Sequence, residues 1–290
     1  MTTVKPPPED LVIYEVAGVL AGDHPPELGP GFLGFWVEAG YTFFFFDREA
    51  EAEVGALLTD CSGLGLRHVH RLKYHQWQDG AGFEAFEIGP LTIVPAWPEP
   101  TDLSEAGLIR IDPGLAFGFG GHPTTRACLK ALVRVFREDR PLQVLDLGTG
   151  TGVLALAAAR LGATGIRAVE YSHLAWDQAR KNVALNRLDQ TVEVIQGLAE
   201  DHLDFPAELV CSNLHFQVQQ EIIRRRGFQG RRWLILSGLF HGQADLIQAA
   251  LTSAGFTLFD LDRDERWTTL VLRQSRESRG RQHGPTPRFK

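Results

Sequence analysis

Cysteine is scarce in this chain, and the three present, Cys61, Cys128 and Cys211, stand far apart with no C-x-x-C pair. That spacing argues against a disulfide framework and against a thiolate zinc site, and it suits a reducing compartment. Long apolar runs are missing as well. No stretch approaches the roughly 20 apolar residues of a membrane helix. The opening "MTTVKPPPED" has no apolar core of a signal segment. The expectation is a soluble cytoplasmic protein with no membrane partner. An excess of positive charge is also absent. The formal net charge is −7, whereas a general nucleic-acid binder is normally basic. No direct nucleic-acid contact is expected from the body of the protein. No metal is expected either: His68 and His70 would share one face of a strand, but no third ligand lies near them.

What the chain does have is apolar material, 44% of its 290 residues. That is enough for one full α/β core and a second small domain. Residues 10–73 read as a small α+β domain. "LVIYEVAGVL", "FLGFWVEAG", "YTFFFFD" and "LRHVHRL" have strand character, and "AEAEVGALLTD" has helical spacing. Residues 74–107 mix glycine, aromatics and a short strand, and read as a linker. After a strand ending at Ile111 comes a glycine-rich loop, then a helix that Thr124 or Thr125 can cap. From Leu142 onward strands and helices alternate, which implies a parallel sheet covered on both faces. The last two strands, "TLFDLD" and "TTLVLRQ", have a short connector and must pair antiparallel. The fold class expected is α/β: a Rossmann-like, seven-stranded class I methyltransferase sheet over residues 108–274, with the small α+β domain before it. The basic tail, 275–290, is too poor in apolar residues to order itself. Its expected state is solvated, with a weak contact to RNA or a ribosomal partner as the alternative.

The segment "DLGTGTG" spans residues 146–152. A dinucleotide fingerprint needs G-x-G-x-x-G, but Gly148, Gly150 and Gly152 are each two apart and Val153 holds the place of the third glycine. The loop has no lysine, so it is not a P-loop. Glycines there let the chain turn sharply and let a ligand touch bare backbone. The N–H groups opening the next helix suit a carboxylate as well as a phosphate. Glu170 ends the next strand, where a carboxylate accepts hydrogen bonds from a ribose diol. A ligand with a ribose, a carboxylate and no phosphate is S-adenosylmethionine. Asn213, in "SNLHF", ends the fourth strand of the alternating region on the crevice side of the sheet. Its side-chain oxygen can accept from an amine. The alternative for Asn213 is a turn cap.

These residues resemble the ribosomal protein L11 methyltransferases. "DPGLAFGFGGHPTTRACLKAL" is similar to that family's D-P-G-x-A-F-G-T-G-x-H-x-T-T signature, and "VLDLGTGTGVLALAAARLGA", the Asn-Leu of "SNLHF", "LSGLFHGQAD" and "RWTTLVLR" agree too. The resemblance runs over roughly residues 108–273. It implies enzymes that place methyl groups from S-adenosylmethionine on lysine side-chain and terminal amines of a ribosomal protein, with an amino-terminal domain that recognises the substrate. Carried over, Thr125, Gly148, Glu170 and Asn213 would contact the cofactor. The departures are Phe119 where the signature has threonine, and Glu170 with "YS" where the family tends to have aspartate with "I-D". The family's tryptophan-rich linker survives only as Trp77.

The site expected is therefore Thr125, Gly148, Gly150, Gly152, Glu170 and Asn213 around the cofactor. Asn213 and Phe117 (or Phe119) would orient the amine. His122 is expected to be structural, with proton relay as its alternative role. A general base is not required, because a neighbouring sulfonium and a desolvated pocket both favour a neutral amine. Two other readings stay open: a methyltransferase of rRNA or of a small molecule, and a cofactor-binding module without catalysis.

Overall fold

The computed structural model describes residues 8–20, 28–77, 83–97 and 106–275. These fall into two compact units. One holds the described residues up to 77 together with Ser172–Leu174, and the other holds the rest. Of the basic tail expected to be solvated, residues 276–290 lie outside the described residues. Among the described residues no helix is long and apolar enough to cross a membrane.

The amino-terminal unit is built from β1 (Asp10–Ala17), β2 (Phe32–Glu38), β3 (Tyr41–Phe46), α1 (Glu51–Asp60), β4 (Gly65–Lys73) and the single turn α2 (Tyr74–Trp77). Its sheet is antiparallel in the order β2-β3-β1-β4. Strand alternation sends Val12, Tyr14, Val16, Phe44 and Phe46 to one face, where they share a core with Val54 of α1. Phe43 and Phe45 face the other way, and Phe45 meets Trp77 edge-on at 5.2 Å. The four-phenylalanine run thus serves both faces of one strand. Ala39 and Gly40 make the tight β2–β3 turn with φ of 50° and 86°, the two positive values a type I′ hairpin needs. His70 pairs with Glu15 at 2.8 Å.

The second unit opens with a small sheet that the sequence reading did not resolve. β5 (Phe86–Ile88) and β6 (Leu91–Pro95) form a hairpin, and β6 runs parallel to β7 (Leu108–Ile111). Two of these strands lie inside the 74–107 stretch expected as a linker. Leu91, Ile93, Ile109 and Ile111 join a core with residues of α3 (Pro123–Glu138) and α4 (Val153–Leu161).

The main sheet has seven strands in the order β10-β9-β8-β11-β12-β14-β13. They are β8 (Gln143–Leu147), β9 (Gly165–Glu170), β10 (Val192–Gln196), β11 (Leu209–Asn213), β12 (Trp233–Phe240), β13 (Phe256–Arg263) and β14 (Trp267–Gln274). The first five in spatial order are parallel, and β14 is antiparallel to both its neighbours. Between them run α5 (His173–Leu185), α6 (Phe216–Arg224) and α7 (His241–Ser253). Two cores form because side chains alternate along each strand. Val144, Cys211, Ile235 and Val271 pack on the α3–α4 face, while Leu145, Val210, Leu234, Leu236 and Leu272 pack on the α6–α7 face. Full burial of such a side chain stabilises by about 1.5–3 kcal/mol. The strand order reverses between β8 and β11, and the crevice at their carboxyl ends is where open α/β sheets hold ligands.

Candidate active site

The glycine loop turns off β8 with Gly148, Gly150 and Gly152 at φ of 71°, 57° and 86°. Gly148 and Gly150 are required by the protein itself as much as by a ligand. A Cβ on Gly150 would stand 2.3 Å from the Phe117 carbonyl oxygen, and one on Gly148 would stand 2.2 Å from Leu214. The loop is stitched to the signature loop, residues 112–122, by backbone and hydroxyl bonds. Thr151 donates its N–H to the Phe117 carbonyl at 3.0 Å and its hydroxyl to the Gly118 carbonyl at 2.9 Å. At the loop's start, Thr149 donates its hydroxyl to Asp146 at 2.6 Å.

Glu170, buried at the end of β9, accepts the Gly150 N–H at 3.0 Å. It therefore braces the loop, a role beyond the diol contact expected from its position. A carboxylate has about four acceptor positions, so this bond is compatible with further donors from a ligand.

The signature loop is clamped from α5. Gln178 and Asn182 each donate a side-chain N–H to the Asp112 carbonyl, at 2.8 and 2.9 Å, and Asn182 accepts the Asp112 N–H at 2.9 Å. Asn182 also donates to the Thr151 carbonyl at 2.9 Å, and Asn186 bonds both backbone groups of Arg110. These three residues were missed in the sequence. They recur at i, i+4 and i+8 and so line one helical face, a spacing that sequence alone does not separate from a row of solvent-facing amides.

The helix after the loop begins differently from expectation. His122, not Thr124 or Thr125, caps α3, its ring nitrogen Nδ1 accepting the Thr124 N–H. Pro123 follows in the first turn, where its missing N–H costs nothing. Thr124 and Thr125 lie inside the helix and are buried. The Thr125 hydroxyl has no hydrogen-bond partner, and both it and the Thr151 hydroxyl lie 4.0 Å from where a Gly118 Cβ would stand.

Asn213, at the tip of β11, donates its amide Nδ2 to the Thr124 hydroxyl at 3.2 Å. Its oxygen lies near Gly238, which sits at φ 79° where the β12–β14 register slips. A Cβ at Gly238 would stand 3.2 Å from Asn213 Oδ1 and 2.8 Å from the Leu214 carbonyl oxygen. Both oxygens thus lie close around the Gly238 α-carbon, and the Leu214 carbonyl already accepts a Gln219 Nε2–H at 2.8 Å.

Phe117 and Phe119 part company. Phe117 is 57% exposed, with its ring centre 5.1 Å from that of His122. Phe119 is buried, 5.1 Å from Phe83. The expectation that either ring could orient an amine is corrected for Phe119: the apolar ring is drawn into the core, and it anchors the loop. Beyond His122 the aromatic wall continues with Trp267 at 5.4 Å, which stacks on Phe240 at 4.8 Å.

A family model described as ribosomal protein L11 methyltransferase (PrmA) matches residues 45–275. The chain belongs to this family. Two curated L11 methyltransferases are similar to it. One from Bacillus cereus (strain Q1) is 35% identical over 192 residues, covering 63% of this chain and 59% of that protein. One from Exiguobacterium sibiricum is 35% identical over 187 residues, covering 63% and 58%. The match therefore spans about three fifths of the length of these relatives. Among solved structures, a ribosomal protein L11 methylase from Lactobacillus delbrueckii subsp. bulgaricus is 28% identical with a TM-score of 0.59, covering 67% of this chain and all of that one.

Proposed function

We propose that this L11 methyltransferase family member transfers methyl groups from S-adenosylmethionine to lysine side-chain or terminal amines of ribosomal protein L11, in the cytoplasm. The observation that carries the reading is the pair of acceptors, Asn213 Oδ1 and the Leu214 carbonyl, both close to Gly238 at the carboxyl end of β11. They lie next to a glycine loop held open by Glu170.

The residues present fit the cofactor. The Thr125 hydroxyl is buried without a hydrogen-bond partner, and a polar group so placed needs one. Thr125, the loop from Gly148 to Gly152, Glu170 and Asn213 would hold it. When bound, it supplies an electrophilic methyl group on a positively charged sulfur. The protein's own part is orientation. An amine with two N–H groups can give one to Asn213 Oδ1 and one to the lone pair that Gln219 leaves on the Leu214 carbonyl, which directs its own lone pair away from both. Holding reactants in line in this way lowers the barrier to a direct displacement. The exposed Phe117 ring offers a wall that can help to orient the amine.

Base methylation is less well supported. Phe216 stands where a base-stacking ring follows an Asn-Pro-Pro stretch, but it packs against the α6–α7 core. A labelled-cofactor assay with purified L11 tests the reading. Label on L11 is expected; label on rRNA and none on L11 would overturn it.

The amino-terminal unit, residues 10–73, is proposed to recognise the protein substrate. Because β5 and β6 share a core with α3 and α4, a truncation must begin at Phe83 and not further on. A fragment from Phe83 is expected to bind cofactor as the whole chain does and to lose transfer to L11. Transfer at the parental rate would overturn the recognition role.

A further inference from the structure

Three side chains around the acceptor space form a chain of hydrogen bonds whose direction can be worked out. His122 Nδ1 faces the Thr124 backbone N–H at 3.3 Å. A backbone N–H only donates, so Nδ1 must carry a lone pair. Thr124 Oγ1 lies 2.7 Å from the same Nδ1. The hydroxyl must then be the donor in that contact, since a lone pair cannot donate. Its proton committed, Thr124 Oγ1 can only accept from Asn213. That contact, 3.2 Å long, is therefore made by the Asn213 NH2 group. An amide has one donor end and one acceptor end. Fixing the NH2 on Thr124 leaves Oδ1 as the end on the Gly238 side.

We propose that His122 and Thr124 are positioning residues: they set which end of the Asn213 amide meets the acceptor amine. The inference rests on the amine-transfer reading and sharpens it. Without this chain the amide can turn over. An NH2 group facing an amine would compete for its lone pair, the electrons that attack the methyl. The ring that begins the chain is itself held. His122 lies between Phe117 and Trp267, at 5.1 and 5.4 Å, so its tilt is set by packing. Its position as helix cap fixes its height. No proton moves along the chain. Its function is to hold one orientation.

The test uses the full chain and two variants. Thr124→Val keeps the shape and removes the hydroxyl; Thr124→Ser keeps the hydroxyl. With L11 as acceptor and saturating S-adenosylmethionine, Thr124→Val is expected to lower kcat by about ten-fold, the rate equivalent of one neutral hydrogen bond. Its KM for L11 and its calorimetric affinity for cofactor should stay within about two-fold, as expected when an interaction acts mainly in the transition state. Thr124→Ser should restore most of kcat. A purely structural role would move stability and cofactor binding together and would not give this split. Equal kcat in Thr124→Val and Thr124→Ser would overturn the proposal.

A second measurement needs no activity. Nitrogen-15 spectra of labelled histidine, with the His122 signal assigned by its loss in His122→Asn, should show the Nε2–H tautomer in the parental protein. A proton on Nδ1 would overturn the proposal outright. The Nε2–H tautomer in a parental protein that labels no L11 would leave the orientation chain standing and sink the amine-transfer reading.

Discussion

Around Gly150 the chain meets itself through backbone atoms, and around Asn213 it meets itself through side chains. On the glycine side the contacts are Thr151 N–H to the Phe117 carbonyl and Gly150 N–H to Glu170, and the space is defined by missing Cβ atoms. On the acceptor side the contacts run from a ring to a hydroxyl to an amide. The two kinds of construction fail differently. A backbone cradle has no smaller version of itself, so an added side chain removes it. A side-chain network can be trimmed one bond at a time, each worth about 1 kcal/mol. The glycine side should therefore respond to mutation as a switch and the acceptor side as a scale.

The sharpest way to break this contrast is Gly150→Val. The Cβ would fall 2.3 Å from a carbonyl oxygen, at a φ of 57° that a β-branched residue rarely adopts. Calorimetry is expected to show cofactor affinity lowered by more than about 100-fold, beyond about 3 kcal/mol. Binding at full strength would mean that the loop is not the cofactor's cradle. Asp146 comes next. Burial pushes its carboxyl up from 3.8 to about 6, while the hydrogen bond from Thr149 opposes the shift. A folded value above the unfolded one favours folding of the protonated form. The contribution is complete below about pH 4 and is lost as pH rises through about 6, a swing of about 3 kcal/mol. In thermal unfolding from pH 4 to pH 7, Asp146→Asn should remove this component whatever its absolute stability. Superimposable pH slopes would show that Asp146 titrates normally.

On the acceptor side, Asn213→Ala should lower kcat by about 100-fold, as loss of one preorganised polar contact typically does. Cofactor affinity should change by less than about ten-fold, or 1.4 kcal/mol. If cofactor binding fell as far as kcat, holding the cofactor would be the main role of Asn213 and the contrast would collapse.

The two sides were also unequally legible in the sequence. Glycines two apart after an apolar strand, with an acid at the end of the next strand, have few other uses, so the backbone side could be read directly. The alternation of Val144, Leu145 and Leu147 fixed the strand and hence the loop's place. The side-chain network could not be read the same way. Thr124 and Thr125 follow a common capping pattern, and only three-dimensional placement shows His122 taking that role. Gln178, Asn182 and Asn186 look like solvent-facing amides until the signature loop folds over them. Phe119 stands two places from Phe117, and spacing alone does not separate the ring that is buried from the ring that is exposed. β5 is three residues long, too short for alternation to rise above chance, and so its sheet passed for a linker.

Glu170 tests the contrast most finely, because it is a side chain serving the backbone side. It accepts the Gly150 N–H, and its charge is also the last and weakest of the influences on Asp146. Glu170→Ala removes the brace and a ligand acceptor together, and should cost about 1–3 kcal/mol of cofactor binding, the range for hydrogen bonds to a charged group. Glu170→Gln keeps an oxygen for the Gly150 N–H and should cost less. The remaining glycine geometry predicts a residual, measurable affinity in both, unlike Gly150→Val. The charge gives an independent reading. Glu170 raises the Asp146 value, so removing its charge in Glu170→Gln should move the Asp146 stability window to lower pH. The shift should be small, because burial is the larger cause. A window that stayed in place would show that the two carboxyls do not sense each other across the loop, and a window that moved upward would contradict the sign of the interaction. Loss of all binding in Glu170→Gln would mean that the cradle depends on a charged side chain, and the division between a backbone side and a side-chain side would no longer hold.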